Sequence, residues 1–88
     1  MTTVTITDRS LLLDGHAGNR DVCISLSALS QLTADAIGKD ESRESGRHEI
    51  RYTSHASVIA PDLIDALSGI IAQLEQQYPE NVRLIDAR

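Results

Sequence analysis

The stretch DGHAGNRDVC, residues 14–23, carries the side chains of this chain best suited to chemistry. His16 stands between two glycines, Gly15 and Gly18, with one alanine intervening, and Cys23, the single cysteine, follows seven residues later. A thiol acts as a nucleophile when it is exposed, ionised and close to a base. Imidazole is the side chain best matched to removing its proton near neutral pH. A helix opening near Asp21 puts Cys23 in its first turn, where unpaired backbone N–H groups and the helix dipole favour a thiolate. The same N–H groups can stabilise the oxyanion formed when sulfur attacks a carbonyl. Gly15 and Gly18 allow tight turning around His16 and leave room for an extended peptide. On these residues alone a plainer reading competes: a lone cysteine as a small buried apolar side chain, and a histidine beside glycines as a loop residue.

The other histidines add no metal site. His48 and His55 are seven apart and form no ligand pattern with His16 or Cys23, so neither metal nor cofactor is expected. The net charge is −5, with eight basic residues scattered among thirteen acids, which disfavours a direct nucleic-acid partner. No apolar run approaches the ~20 residues needed to span a bilayer, so no membrane partner is expected. The N-terminal MTTVTITDRS lacks a basic segment followed by a long apolar block, so no signal peptide is expected. A single cysteine excludes an internal disulfide and suits a reducing compartment, and the expected location is the cytoplasm.

The elements that must position His16 and Cys23 follow from hydrophobic periodicity. The 88 residues suit one domain, residues 1–88. With no Trp or Phe, the core must be aliphatic, and a homodimer would bury more surface. Thr3–Ile6 alternates as a strand, Asp8-Arg9-Ser10 reads as a turn, and Leu11–Leu13 reads as a second strand closed by Asp14-Gly15. Val22, Leu26, Leu29, Thr33 and Ile37 then mark an amphipathic helix, capped by Asp21 or Asn19 and stopped at Gly38. Composition makes Lys39–Arg47 a solvated loop or hairpin tip. Glu49–Thr53 is a strand, and Ser57–Ala60 continues it or starts another. Pro61 opens a second helix carrying Leu63, Ile64, Leu67, Ile70, Ile71, Leu74 and Tyr78, Pro79 ends it, and Val82–Asp86 is the last strand. The order ββαβ(β)αβ implies a small two-layer α+β domain, with two helices on one face of a mostly antiparallel sheet.

These residues resemble one known family, the ribosomal-processing cysteine proteases (Prp, or YsxB-like). The resemblance lies in Gly15-His16-Ala17-Gly18, in Asp21-Val22-Cys23 followed by Ser27-Ala28-Leu29, and in LIDALSGIIAQLEQQYPENVRLID near the C-terminus. It implies a Cys–His endopeptidase in which Cys23 is the nucleophile and His16 the base. Asp21 would orient His16 or cap the helix, and Ser27, one turn beyond Cys23, would contact the loop or the helix's own carbonyls. The family forms homodimers and trims a short N-terminal extension from a large-subunit ribosomal protein, while phage relatives act on capsid or scaffold proteins. The chain departs from the pattern between His16 and Cys23. The interval is shorter than in the family, Asn19 replaces an aromatic residue, and Asp21 sits one residue closer to the cysteine. The departure keeps a second function in view, a catalytically silent, dimeric module that binds a peptide or protein.

Overall fold

The computed structural model describes Met1–Arg88. Its elements run β1 (Thr2–Ile6), β2 (Ser10–Asp14), α1 (Arg20–Ile37), β3 (Gly38–Glu44), β4 (Arg47–Tyr52), α2 (Ala56–Ile59), α3 (Pro61–Gln77) and β5 (Val82–Asp86). One five-stranded sheet has the order β3-β4-β2-β1-β5, antiparallel except for the parallel β1–β5 pair. This is the small α+β domain expected, enlarged by one strand and one short helix.

Register explains why one face is buried. Val4 pairs with Leu13 and Leu84, and Leu13 pairs with His48; Ile6 pairs with Leu11, and Leu11 with Ile50. Directly paired residues share a face, so Val4, Ile6, Leu11, Ile50 and Val82 form a continuous apolar layer, all at most 1% exposed. Helix α1 covers the β3–β4 side of this layer and α3 covers β5. From α1 come Val22, Leu26 and Ile37, and from α3 come Ile64, Leu67 and Ile71. Burying each such aliphatic side chain contributes roughly 1.5–3 kcal/mol. Tyr52 is the one aromatic ring in the core. Burial pushes its phenol up to about 12, and its Oη has no hydrogen-bond partner.

Two local expectations change. Lys39–Glu44 is not a loop but most of edge strand β3, paired with β4 from Asp40 to Glu44 after a register shift at Lys39. An edge strand with one solvated side needs no apolar alternation, and its charges discourage pairing with another sheet. Ser57–Ala60 is not a strand. His55 adopts a left-handed φ of 68° and starts the short helix α2, which buries Ala56 and leaves Val58 and Ile59 exposed. Gly38 stops α1 as expected, in an extended conformation with φ −74°. Glycine is needed there because a Cβ would lie 2.5 Å from the Ala34 carbonyl oxygen.

Candidate active site

The segment Gly15–Asn19 joins β2 to α1 and is fixed mainly by its backbone. Gly15 (φ 96°) and Gly18 (φ 71°) take conformations that residues with a Cβ rarely adopt. The Gly15 N–H donates to the Gly46 carbonyl at 2.6 Å, extending β2 past its last pair toward the β3–β4 turn. The Met1 ammonium donates to the His16 carbonyl at 2.6 Å. Ala17 is buried, and its carbonyl accepts from the Asn81 side chain at 2.7 Å. Asn81 in turn accepts the Thr2 N–H on its own carbonyl. A residue 64 positions away thus pins the loop that carries His16.

Helix α1 starts at Asn19. Its Oδ1 accepts from the Asp21 and Val22 N–H groups at 2.9 and 3.2 Å, and its carbonyl accepts from Cys23 N–H at 3.0 Å. Of the two expected caps, Asn19 takes the role and Asp21 does not, and the expected contact of Asp21 with His16 is not made: its carboxylate has no hydrogen bond to His16 or to any other group. Of the N–H groups in this first turn, only that of Arg20 is left without a partner, so the helix start offers one oxyanion donor rather than a set.

Cys23 is exposed, which removes the reading of a buried thiol. His16 is exposed as well, and its ring lies over the β3–β4 turn: a Cβ placed on Gly46 would stand 3.1 Å from Nε2. Both side chains line one cavity of about 460 Å³ between the start of α1 and the β3–β4 hairpin. No hydrogen bond joins the Cys23 sulfur to the His16 ring. Ser27 lines the same cavity, one turn past Cys23, and its hydroxyl is unbonded, whereas Ser25 and Ser30 donate to helix carbonyls. The expected Ser27 contact with the helix's own carbonyls is therefore not made. No three His, Cys, Asp or Glu side chains converge on a point that would hold a metal ion.

The opposite wall brings residues to which the sequence assigned no role at this site, His48 having been weighed only as a metal ligand. Arg43, Arg47 and His48 of the hairpin face the same cavity. His48 Nε2 lies 2.8 Å from Glu41 Oε2, and Arg43 lies 3.4 Å from the same oxygen. The His48 hydrogen bond, with help from Arg43, holds the Glu41 carboxyl below its ordinary value. Only the β3–β4 register places Glu41 near His48, so spacing along the chain gave no signal of it.

Taken together, these features define a two-layer α+β domain with a thiol and an imidazole at the mouth of one cleft. The fold is that of the ribosomal processing protease Prp. It matches the essential Prp from S. aureus with a covalently linked product peptide at TM-score 0.77 and 24% identity, over 98% of this chain and 99% of that one. The same S. aureus protein with a substrate peptide matches at TM-score 0.70 and 20% identity, over 97% and 96%. A Streptococcus mutans protein matches at TM-score 0.68 and 20% identity, over 97% and 92%. No protein-family model and no curated protein sequence matches the chain.

Proposed function

We propose that this chain is a cysteine endopeptidase of the Prp type. The observation that carries the reading is the presence of an exposed Cys23 and His16 on the lining of one cleft, on a fold shared over nearly the whole chain with a protease crystallised with a covalently linked product peptide. In this reading His16 takes the Cys23 proton as sulfur attacks the scissile carbonyl, forming a C–S bond and an oxyanion. Cys23 stands in the first turn of α1, where the helix dipole stabilises negative charge, and the Arg20 N–H is the backbone donor within reach of that end. Collapse of the intermediate breaks the C–N bond, and the leaving amine takes the proton back from His16. Water then hydrolyses the thioester and regenerates the thiol. Asp21 and Ser27 play supporting parts, Asp21 through its charge near the helix start and Ser27 as a free hydroxyl in the cleft. The substrate is the short N-terminal extension of a large-subunit ribosomal protein or a phage structural protein, met in the cytoplasm by a homodimer.

The test is thiol reactivity joined to cleavage. Cys23 is expected to react with iodoacetamide near neutral pH faster than a free thiol. His16→Ala is expected to lower both labelling and cleavage of extension peptides by ~10²-fold or more, the scale of general-base catalysis. Labelling no faster than a free thiol, unchanged in His16→Ala, overturns the reading. The unbonded sulfur favours a second reading, a silent peptide-binding module. It predicts that Cys23→Ala and wild type bind the same peptides equally and that neither cleaves them.

A further inference from the structure

His48 is the most enclosed titratable side chain in the cleft and has no part in the chemistry above. Its side chain is 15% exposed, flanked on the sheet by its cross-strand partners Leu13 and Arg43. The Glu41 carboxylate, held ionised by its neighbours, only accepts hydrogen bonds, so the ring proton sits on Nε2 and points at Glu41. In the neutral ring Nδ1 then presents a lone pair. This atom makes no hydrogen bond within the protein, and it is not sealed in the core: Tyr52 Oη is the only buried side-chain polar atom lacking a partner. Nδ1 therefore opens to solvent at a residue that lines the cleft.

We propose that His48 is a specificity-determining residue. Its tautomer is fixed by Glu41, and its Nδ1 accepts a hydrogen bond from an uncharged donor side chain, a hydroxyl or a carboxamide, of the peptide bound in the cleft. The inference rests on the peptide-cleft reading above. Depth selects a side chain over the peptide's backbone, because a recessed ring atom is met by a group that projects inward. Charge selects an uncharged donor, because Arg43 and Arg47 outnumber Glu44, the one carboxylate lining the same cavity, and repel an ammonium or guanidinium.

The experiment selects a random decapeptide library on immobilised Cys23→Ala, and in parallel on Cys23→Ala/His48→Phe and Cys23→Ala/His48→Asn. The expected result is a consensus on Cys23→Ala with Ser, Thr, Asn or Gln at one position. Phenylalanine keeps the ring's bulk without the acceptor, so that preference disappears and binding of the selected peptide weakens about fivefold to tenfold, the worth of one hydrogen bond. Asparagine places an amide oxygen near the Nδ1 position and restores most of the affinity, which separates a lost acceptor from a disturbed fold. No consensus on Cys23→Ala overturns the proposal, as does the same consensus on all three proteins. Cleavage of the selected peptides by the wild-type chain is scored separately: its absence counts against the protease and leaves the His48 result standing.

Discussion

On one side of the cleft the segment Gly15–Asn19 and the first turn of α1 are held mainly through the main chain: two positive-φ glycines, an Asn19 cap, and carbonyls tied to the Asn81 side chain and to the Met1 ammonium. On the other side β3 and β4 carry a side-chain cluster, in which one carboxylate oxygen of Glu41 meets both His48 and Arg43. The first wall presents the thiol and the imidazole, exposed and unbonded to each other. The second presents an enclosed imidazole with one nitrogen already committed. Under the proposed function and the His48 proposal, the difference separates two tasks. A reacting pair must be free to change partners during a cycle, whereas a group that reads a ligand does so best when pre-organised. It also says where each wall breaks: the first through its backbone, the second through its charge.

The largest effect is expected from Gly15→Ala. A Cβ there would run into the Met1 carbonyl oxygen, and φ 96° is strained for any residue with a side chain. The backbone strain alone costs roughly 1–3 kcal/mol, and His16, the next residue, must move with it. Denaturant unfolding should show this loss together with slower iodoacetamide labelling of Cys23. Gly69→Ala is the control. Gly69 lies within α3 with nothing near its missing Cβ, so the change should stabilise by roughly 0.5–1 kcal/mol. If the two alanines act alike, the Gly15 turn is not a constraint on the first wall.

Asn81→Ala should come next. It removes the donor to the carbonyl of Ala17, a residue only 2% exposed, and an unsatisfied buried acceptor costs roughly 1–3 kcal/mol. The loss should appear in denaturant midpoints, with labelling of Cys23 changed less than by Gly15→Ala, because the carbonyl lies one residue past His16. A change in labelling that exceeds the change in stability would mean that Asn81 positions His16 directly.

The two walls were not equally legible in the sequence. Glycines, cap-forming residues and 3.6-residue periodicity act locally, so β1, β2, α1, α3 and the turn at His16 could be read from neighbours in the chain. Even there the cap stayed open between Asn19 and Asp21, because both side chains can cap and only their distances to the N–H groups decide. In the hairpin wall β4 was legible from its alternation, but β3 was not, for a physical reason. β3 is stabilised by its ladder with β4 and has six polar or charged residues after Gly38, so it carries no amphipathic signature. Val58 and Ile59 imitate a strand through their β-branched side chains, but the left-handed turn at His55 commits them to a short helix. The Glu41–His48 contact spans a turn, and its existence depends on register rather than spacing.

The smallest effect is expected from Glu41→Gln, and pH makes it decisive. Glu41 is held below its ordinary value of 4.5, first by the hydrogen bond from His48 and then by Arg43. A carboxyl depressed in the folded state contributes stability that is fully present above its unfolded value and lost as pH falls through the folded one. The wild type should therefore exceed Glu41→Gln in thermal midpoint by a small, constant margin well above pH 4.5, and the margin should shrink to nothing as the solution is acidified below that value. The carboxylate is solvent-exposed, so added salt should also reduce the margin. Glutamine keeps an oxygen that can accept the Nε2 proton, so a variant with the wild-type midpoint at every pH would mean that the second wall is organised by hydrogen-bond geometry alone. A margin that instead grew on acidification would reverse the sign of the linkage and remove the ionised Glu41 from the cleft wall.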